Sequence, residues 1–182
     1  MRLAIIGLTL AAITVFGRDD SDAERGRNRS IVSRLQADCA VTVRQDKSWQ
    51  SVTNRKQVGV RRIGYPSTEG LYYQHQGVML FVLCAEKKNA FDYWSQKSLN
   101  NIAHDYSAFT LRGNEALDFQ GAPALWYLYD GTRKDSGLHQ NGYVMTVDRG
   151  RNGLIIALAT NSSDESMYSP IFRAAIDLMQ LH

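Results

Sequence analysis

The chain has 182 residues, of which 44% are hydrophobic, 10% aromatic and 21% charged, the make-up of a globular domain with room for one core. Its 21 Lys and Arg against 18 Asp and Glu leave a formal charge of +3, too slight an excess to point to nucleic acid or anionic lipid. Two cysteines and three prolines exclude a disulfide-dense miniprotein, a multi-cysteine metal cluster and a proline-rich scaffold.

Met1-Arg2-Leu3 is a short basic start, Ala4 to Phe16 is an uncharged run, and Arg18-Asp19-Asp20 follows at once. A helix over that run would rise roughly 20 Å, short of the ~30 Å hydrocarbon core of a membrane. Residues 1–17 therefore read as an export signal, either cleaved after Gly17 or kept as a membrane anchor. In a cytosolic protein the same run would be a buried core helix. Removing it takes away Arg2 and lowers the formal charge to +2. Residues 18–30 (RDDSDAERGRNRS) carry both charge signs and no large apolar side chain, so they read as a flexible linker.

Residues 31–182 read as one α+β domain. Ile31 to Leu35 suggests a short helical turn, and Cys39-Ala40-Val41-Thr42-Val43 alternates as a strand before the Asp46-Lys47-Ser48 turn and Trp49. Val58 to Ile63 is a second strand candidate, stopped by Gly64-Tyr65-Pro66, and Leu71-Tyr72-Tyr73 a short aromatic one. Gly77 to Ala85 (GVMLFVLCA) is almost wholly apolar, as a central strand buried on both faces would be. After Asn89 the period changes: Phe91, Trp94, Leu99, Ile102 and Tyr106 predict a helix over 90–105. Strands are predicted at 109–112, 116–120 and 122–129, with a polar loop from Asp130-Gly131 to about Asn141. Tyr143 to Asp148 and Leu154 to Thr160 flank a tight hairpin in which Asn152-Gly153 would take the positive φ angles. Ser169-Pro170 predicts the start of a terminal helix carrying Ile171, Ala174, Ala175, Leu178 and Leu181 on its apolar face.

This order resembles that of PsbP-like domains, the family of the photosystem II extrinsic subunit and its non-photosynthetic relatives. The residues that carry the resemblance are Lys47-Ser48-Trp49, the apolar strand 77–85, the helix holding Trp94 and Leu99, and Gly121-Ala122-Pro123-Ala124 leading into Leu125-Trp126-Tyr127. The hairpin YVMTVDRGRNGLIIALAT and a helix beginning near Met167 complete it, over about residues 41–181. The resemblance implies an antiparallel sheet sandwiched by helices, usually non-catalytic, acting by binding to larger assemblies. It implies no catalytic residue.

Candidate chemistry is sparse. Cys39 and Cys84 lie among apolar neighbours; in an exported protein they would form one disulfide between the N-terminal strand and the central strand, and in a cytosolic one they would be two buried thiols. The four histidines, His75, His104, His139 and His182, show no metal-ligand spacing, and no cofactor motif is present. No nucleophile elbow occurs, and Arg149-Gly150-Arg151-Asn152-Gly153 is followed by no helix, so it is a hairpin and not a phosphate loop.

Two recognition surfaces are suggested instead. Tyr65, Tyr72, Tyr73 and His75 cluster near a glycine-proline break, and tyrosines give large contact area at small entropic cost; the alternative is that their rings pack on the sheet. Arg133, Lys134 and His139 stand in the 131–141 loop, which is either a contact surface or an inert connector. The expectation is a non-enzymatic binding protein of the bacterial envelope, periplasmic or secreted, whose partner is another envelope protein and which touches membrane only through an N-terminal anchor. An immunity or inhibitor protein is one version of it. The competing expectation is a small periplasmic hydrolase or ligand-binding protein with a His–carboxylate site at His104 or His139.

Overall fold

The apolar run after Gly77 becomes the third strand of a seven-stranded antiparallel sheet, and its two faces are covered by different helices. The structure is a computed structural model that describes residues 19–44, 46–51, 70–86 and 91–182. The elements in chain order are α1 (Asp19–Cys39), β1 (Val41–Val43), β2 (Gln50–Ser51), β3 (Leu71–His75), β4 (Val78–Glu86), α2 (Phe91–His104), β5 (Tyr106–Phe119), β6 (Ala122–Arg133), β7 (His139–Arg149), β8 (Asn152–Thr160), α3 (Glu165–Asp177) and β9 (Met179–Leu181). The large sheet runs β2-β3-β4-β8-β7-β6-β5, and β1 pairs with β9 in a separate ribbon.

Strand parity sorts the core. Leu80 and Val82 of β4, Leu154, Ile156 and Leu158 of β8 and Met145 and Val147 of β7 share one cluster with Ile31 and Leu35 of α1 and Tyr168, Phe172 and Ala175 of α3. Phe81, Leu83, Ile155, Ala157, Val144, Tyr127 and Tyr129 occupy the opposite face with Ile102 of α2. In register, Leu80 stands opposite Leu158 and Phe81 opposite Ala157, so neighbouring strands agree about which face is which. The outcome is the expected α+β sandwich: α1 and α3 below the sheet, α2 above it.

Several local expectations change. The 19–30 stretch is not a loose tether but the first half of α1. Ile31, Leu35 and Cys39 recur every fourth residue and are all buried, which fixes one helical face; once that nucleus exists, each added residue costs little, and Ala23, Glu24, Arg25 and Arg27 are good helix formers. The side chains of Arg25, Arg27 and Arg29 are nonetheless exposed. The disulfide therefore joins the end of a helix, not a strand, to β4, with Cys39 and Cys84 Cα atoms 6.0 Å apart. Among the described residues no helix is long and apolar enough to cross a membrane. Residues 1–17, the strand expected at 58–63 and Tyr65 lie outside the described residues.

The two strands expected between 109 and 120 are one, β5, whose ladder with β6 shifts register after Tyr106 and after Leu111. Ser107 and Arg112 are the extra residues, and such bulges also blunt an edge strand against stray pairing. The loop expected from 131 to 141 shrinks to 134–138. Gly131 is a strand glycine: a Cβ there would meet the Ala108 carbonyl oxygen at 2.2 Å, so its value lies in close backbone approach and not in turning. In the β7–β8 hairpin, Arg149 pairs with Asn152, and the positive φ belongs to Gly150 (75°) instead of Asn152-Gly153.

The terminal helix starts earlier and stops earlier than its sequence suggests. Asp164 caps it, its Oδ1 accepting the Ser166 N–H at 3.0 Å, which leaves Pro170 inside the helix. Leu178 is the C-cap, and Met179 to Leu181 leave the helix for β1, pairing Met179 with Val43 and Leu181 with Val41. Gln120 holds the other side of β9: its amide nitrogen donates to the Met179 carbonyl and its amide oxygen accepts from the Leu181 N–H, both at 2.8 Å.

Candidate functional site

The expected tyrosine surface divides at the strand pleat. Tyr72 points to the α2 side and is buried against Phe81, ring centroids 4.7 Å apart, so it offers no contact area. Tyr73 points the other way and is half-buried, which raises its phenol above the ordinary tyrosine range. It lines a hollow of about 380 Å³ with Arg44, Asp46, Lys47, Trp49 and Leu178. His75 bonds the Ser48 carbonyl through Nδ1 at 2.9 Å and lies 5.4 Å from the Trp49 ring. It fastens the β2 turn.

The second expected surface is drawn inward. Arg133 is buried to 9% exposure, clamps Asp135 through Nε (2.9 Å) and Nη2 (2.6 Å), and sits 5.9 Å from the Tyr106 ring centroid. Burial of such a charge requires a partner, and Asp135 supplies it; each raises or lowers the other's proton affinity in the direction of the ion pair. Lys134 Nζ donates to the His104 carbonyl at 2.7 Å, closing the C-terminus of α2. These two residues hold the hairpin and helix together. They do not join Tyr73 and His75, because β4, β8 and β7 stand between the two groups.

His139 alone of the set faces the α3 side in the open. Its Nε2 is 3.6 Å from Asp130 Oδ2, but that carboxylate already accepts Nε of Arg112 at 2.8 Å and Nη2 at 3.1 Å. Those two bonds hold Asp130 below the ordinary carboxylate range and leave it little basicity to lend an imidazole. His104 is 85% exposed with Asp105 at 3.7 Å, a loose surface pair. Among the described residues no group of three or more His, Cys, Asp or Glu could hold a metal ion.

One open feature on that face was not legible as a site. Between α3 and strands β6 and β7 lies a groove of about 600 Å³, floored and walled by Trp126, Leu128, Tyr143, Tyr168, Phe172 and Ile176. Trp126 and Tyr143 stack at 5.7 Å with 18° between planes, and Tyr168 meets Phe172 at 5.0 Å. Glu165, Arg173 and Asp177 of α3 supply the charged rim. Parity builds the floor: Trp126, Leu128 and Asp130 are alternate residues of β6, so the apolar floor runs on into the Arg112–Asp130 pair and His139. Desolvation pushes the Tyr143 phenol up to about 12 and raises that of Tyr168. Both stay neutral donors at any physiological pH. A groove of this size, aromatic inside and charged at its lip, has the make-up of a binding site for a small molecule or a partner's side chains.

No protein-family model matches the chain, and no curated protein matches it in sequence. Solved structures do match. The cyanobacterial PsbP protein CyanoP of Synechocystis superimposes with a TM-score of 0.53 at 12% identity, over 76% of this chain and 84% of that one. LpqN of Mycobacterium tuberculosis, involved in cell envelope biogenesis, gives 0.48 at 12% identity over 75% and 79%. PA94 of Pseudomonas aeruginosa, a protein of unknown function, gives 0.48 at 17% identity over 72% and 81%. The likeness to CyanoP is one of fold: the chain has a PsbP-like sandwich, as the sequence resemblance implies.

Proposed function

We propose that this protein is an exported, non-catalytic accessory domain of the cell envelope, and that it works by docking another envelope protein in the groove between α3 and β6–β7. The observation that carries the reading is the aromatic lining: the half-buried Trp126 and Tyr143, backed by the buried rings of Tyr168 and Phe172, lie on an open face, and such residue types dominate binding energy at protein interfaces. The Cys39–Cys84 bond supports a place outside the cytoplasm, because such bonds persist in oxidising compartments. The basic start and apolar run Ala4–Phe16 support export. Capture of Asp130 by Arg112 supports binding over His139-based hydrolysis.

Site-directed photo-crosslinking tests the reading. A benzophenone amino acid replacing Arg173, on the groove rim, should cross-link a defined envelope protein in living cells. The same amino acid replacing Arg151, at the tip of the β7–β8 hairpin, should not. Cross-links from Arg151 and none from Arg173 would move the interface away from the groove.

A further inference from the structure

β5 is the last strand of the large sheet, and among the described residues only β6 pairs with it. Over its first half the bulges at Ser107 and Arg112 break the line of backbone groups on the open side. From Gly113 to Phe119 the ladder runs without a break, Gly113 opposite Leu128 and Phe119 opposite Ala122.

The turn that follows decides which groups point outward. Gln120 and Gly121 both have positive φ, 54° and 85°, as a two-residue type I′ hairpin requires. Such a turn closes with a bond from the Ala122 N–H to the Phe119 carbonyl. Phe119, and with it Leu117, Glu115 and Gly113, therefore turn their backbone groups toward β6. Asn114, Ala116 and Asp118 turn theirs away, and all three residues are exposed.

A second copy of the chain meets this edge in one register. The outward residues are symmetric about Ala116, so a two-fold axis there sets Ala116 opposite Ala116 and Asn114 opposite the partner's Asp118. Each facing pair then exchanges two backbone bonds. No like charges face one another directly: the Asp118 carboxylate meets an Asn114 amide that can donate to it, and Glu115 stands opposite Leu117. Centring on Asn114 would run the partner into the Arg112 bulge, and centring on Asp118 would set two carboxylates face to face.

We propose that the protein forms a two-fold dimer by antiparallel pairing of β5 along Asn114–Asp118, joining the two sheets into one. The axis stands perpendicular to the sheet, so both α3 grooves open on the same side. The dimer itself does not depend on what those grooves hold.

Cysteine cross-linking in the expressing cells and sedimentation of the purified full chain test this. Facing Cα atoms of a hydrogen-bonded pair lie about 5.5 Å apart, within reach of a disulfide. Ala116→Cys should therefore give a covalent dimer on mild oxidation. Asn114→Cys alone should give at least about tenfold less, its two copies lying roughly 13 Å apart; co-expressed with Asp118→Cys, it should cross-link to that variant. In sedimentation the wild type should pass from monomer to dimer with Kd on the order of 10–100 μM, as a small interface does. Ala116→Pro removes the outward N–H and no bond to β6, a position where an edge strand accepts proline. It should weaken the dimer at least about tenfold and leave Tm within roughly 3 °C of wild type. A wild type that stays monomeric up to about 1 mM overturns the proposal. So does a dimer that Ala116→Pro leaves intact, or cross-linking of Asn114→Cys alone that matches Ala116→Cys. Cross-links from the Arg173 position report on the groove and not on β5, so failure of either reading leaves the other standing.

Discussion

Arg112 grips Asp130 with two nitrogens of its guanidinium, Nε on Oδ1 at 2.8 Å and Nη2 on Oδ2 at 3.1 Å. The grip follows from a bulge: Arg112 is the residue that β5 inserts between Leu111 and Gly113, and it has no opposite number in β6. The extra residue is free to reach along the sheet. What it reaches is the polar end of the aromatic groove.

That pair sets an acid limit. Arg112 lowers the Asp130 pKa, so the folded state binds its proton less readily than the unfolded chain does. Stability from the pair is fully present above the unfolded value of about 3.9 and is lost as pH falls through the depressed folded value. Asp130→Asn should cost about 0.5 kcal/mol at pH 6, and the gap to wild type should be smaller at about pH 3. Urea midpoints at the two pH values check this; a gap that widens in acid would refute it.

The Cys39–Cys84 bond closes a separation of 45 positions. In the chain-entropy model such a closure contributes about 3–4 kcal/mol. Cys39→Ser together with Cys84→Ser, or reduction under native conditions, should lower Tm by roughly 10 °C. Scanning calorimetry with and without dithiothreitol gives the comparison, and thiol titration of the unfolded untreated protein should find no free cysteine.

Gly142 lies under the Tyr129 ring: a Cβ built there would stand 2.1 Å from Cζ and 2.2 Å from the hydroxyl oxygen. Tyr129 is buried beside Tyr106 and Phe109 and has nowhere to go. Gly142→Ala should therefore destabilise by more than about 2 kcal/mol. Adding Tyr129→Leu, which removes the distal ring atoms, should make the pair less harmful than the sum of the two single changes. Additive denaturation energies would show the collision to be absent.

Gln120→Ala should remove both side-chain bonds to β9. The expected loss is about 1–2 kcal/mol, felt first as faster hydrogen exchange of the Leu181 amide with the sheet interior unchanged. Exchange accelerating equally at Ile156 would place the effect elsewhere.

Where one physical signal ruled, the sequence was readable. The runs of β4 and β8 are apolar on both faces and end at turn residues, and α2 shows a clear helical period; all three form close to their expected limits. Competition between signals caused the differences. Leu178 and Leu181 continue the apolar face of α3, but the open edge of β1 captures Met179 to Leu181 as a strand, a partner 136 to 140 positions away that no local window contains. Ser169-Pro170 looks like a helix start, yet Asp164 offers a better cap five residues earlier. Gly131 reads as a turn until the bulge at Ser107 brings Ala108 onto it. The groove was hidden for a related reason: Trp126 and Tyr143 look like ordinary inward-facing strand residues, and only the position of α3 decides that their rings stay partly uncovered. Of the expected contact residues, Tyr72 and Arg133 turn inward because strand parity, invisible in a cluster of tyrosines or a presumed loop, assigns them to buried positions.

The disulfide also decides how the fold carries a mechanical load. Tension applied along α1 does not have to peel the three-residue ribbon of β1 and β9 first; it passes through sulfur to Cys84, inside a strand hydrogen-bonded to β3 on one side and β8 on the other. With the bond intact, a pull from the N-terminal side must shear the middle of the sheet; with it reduced, the same pull can unzip the domain from its weakest edge.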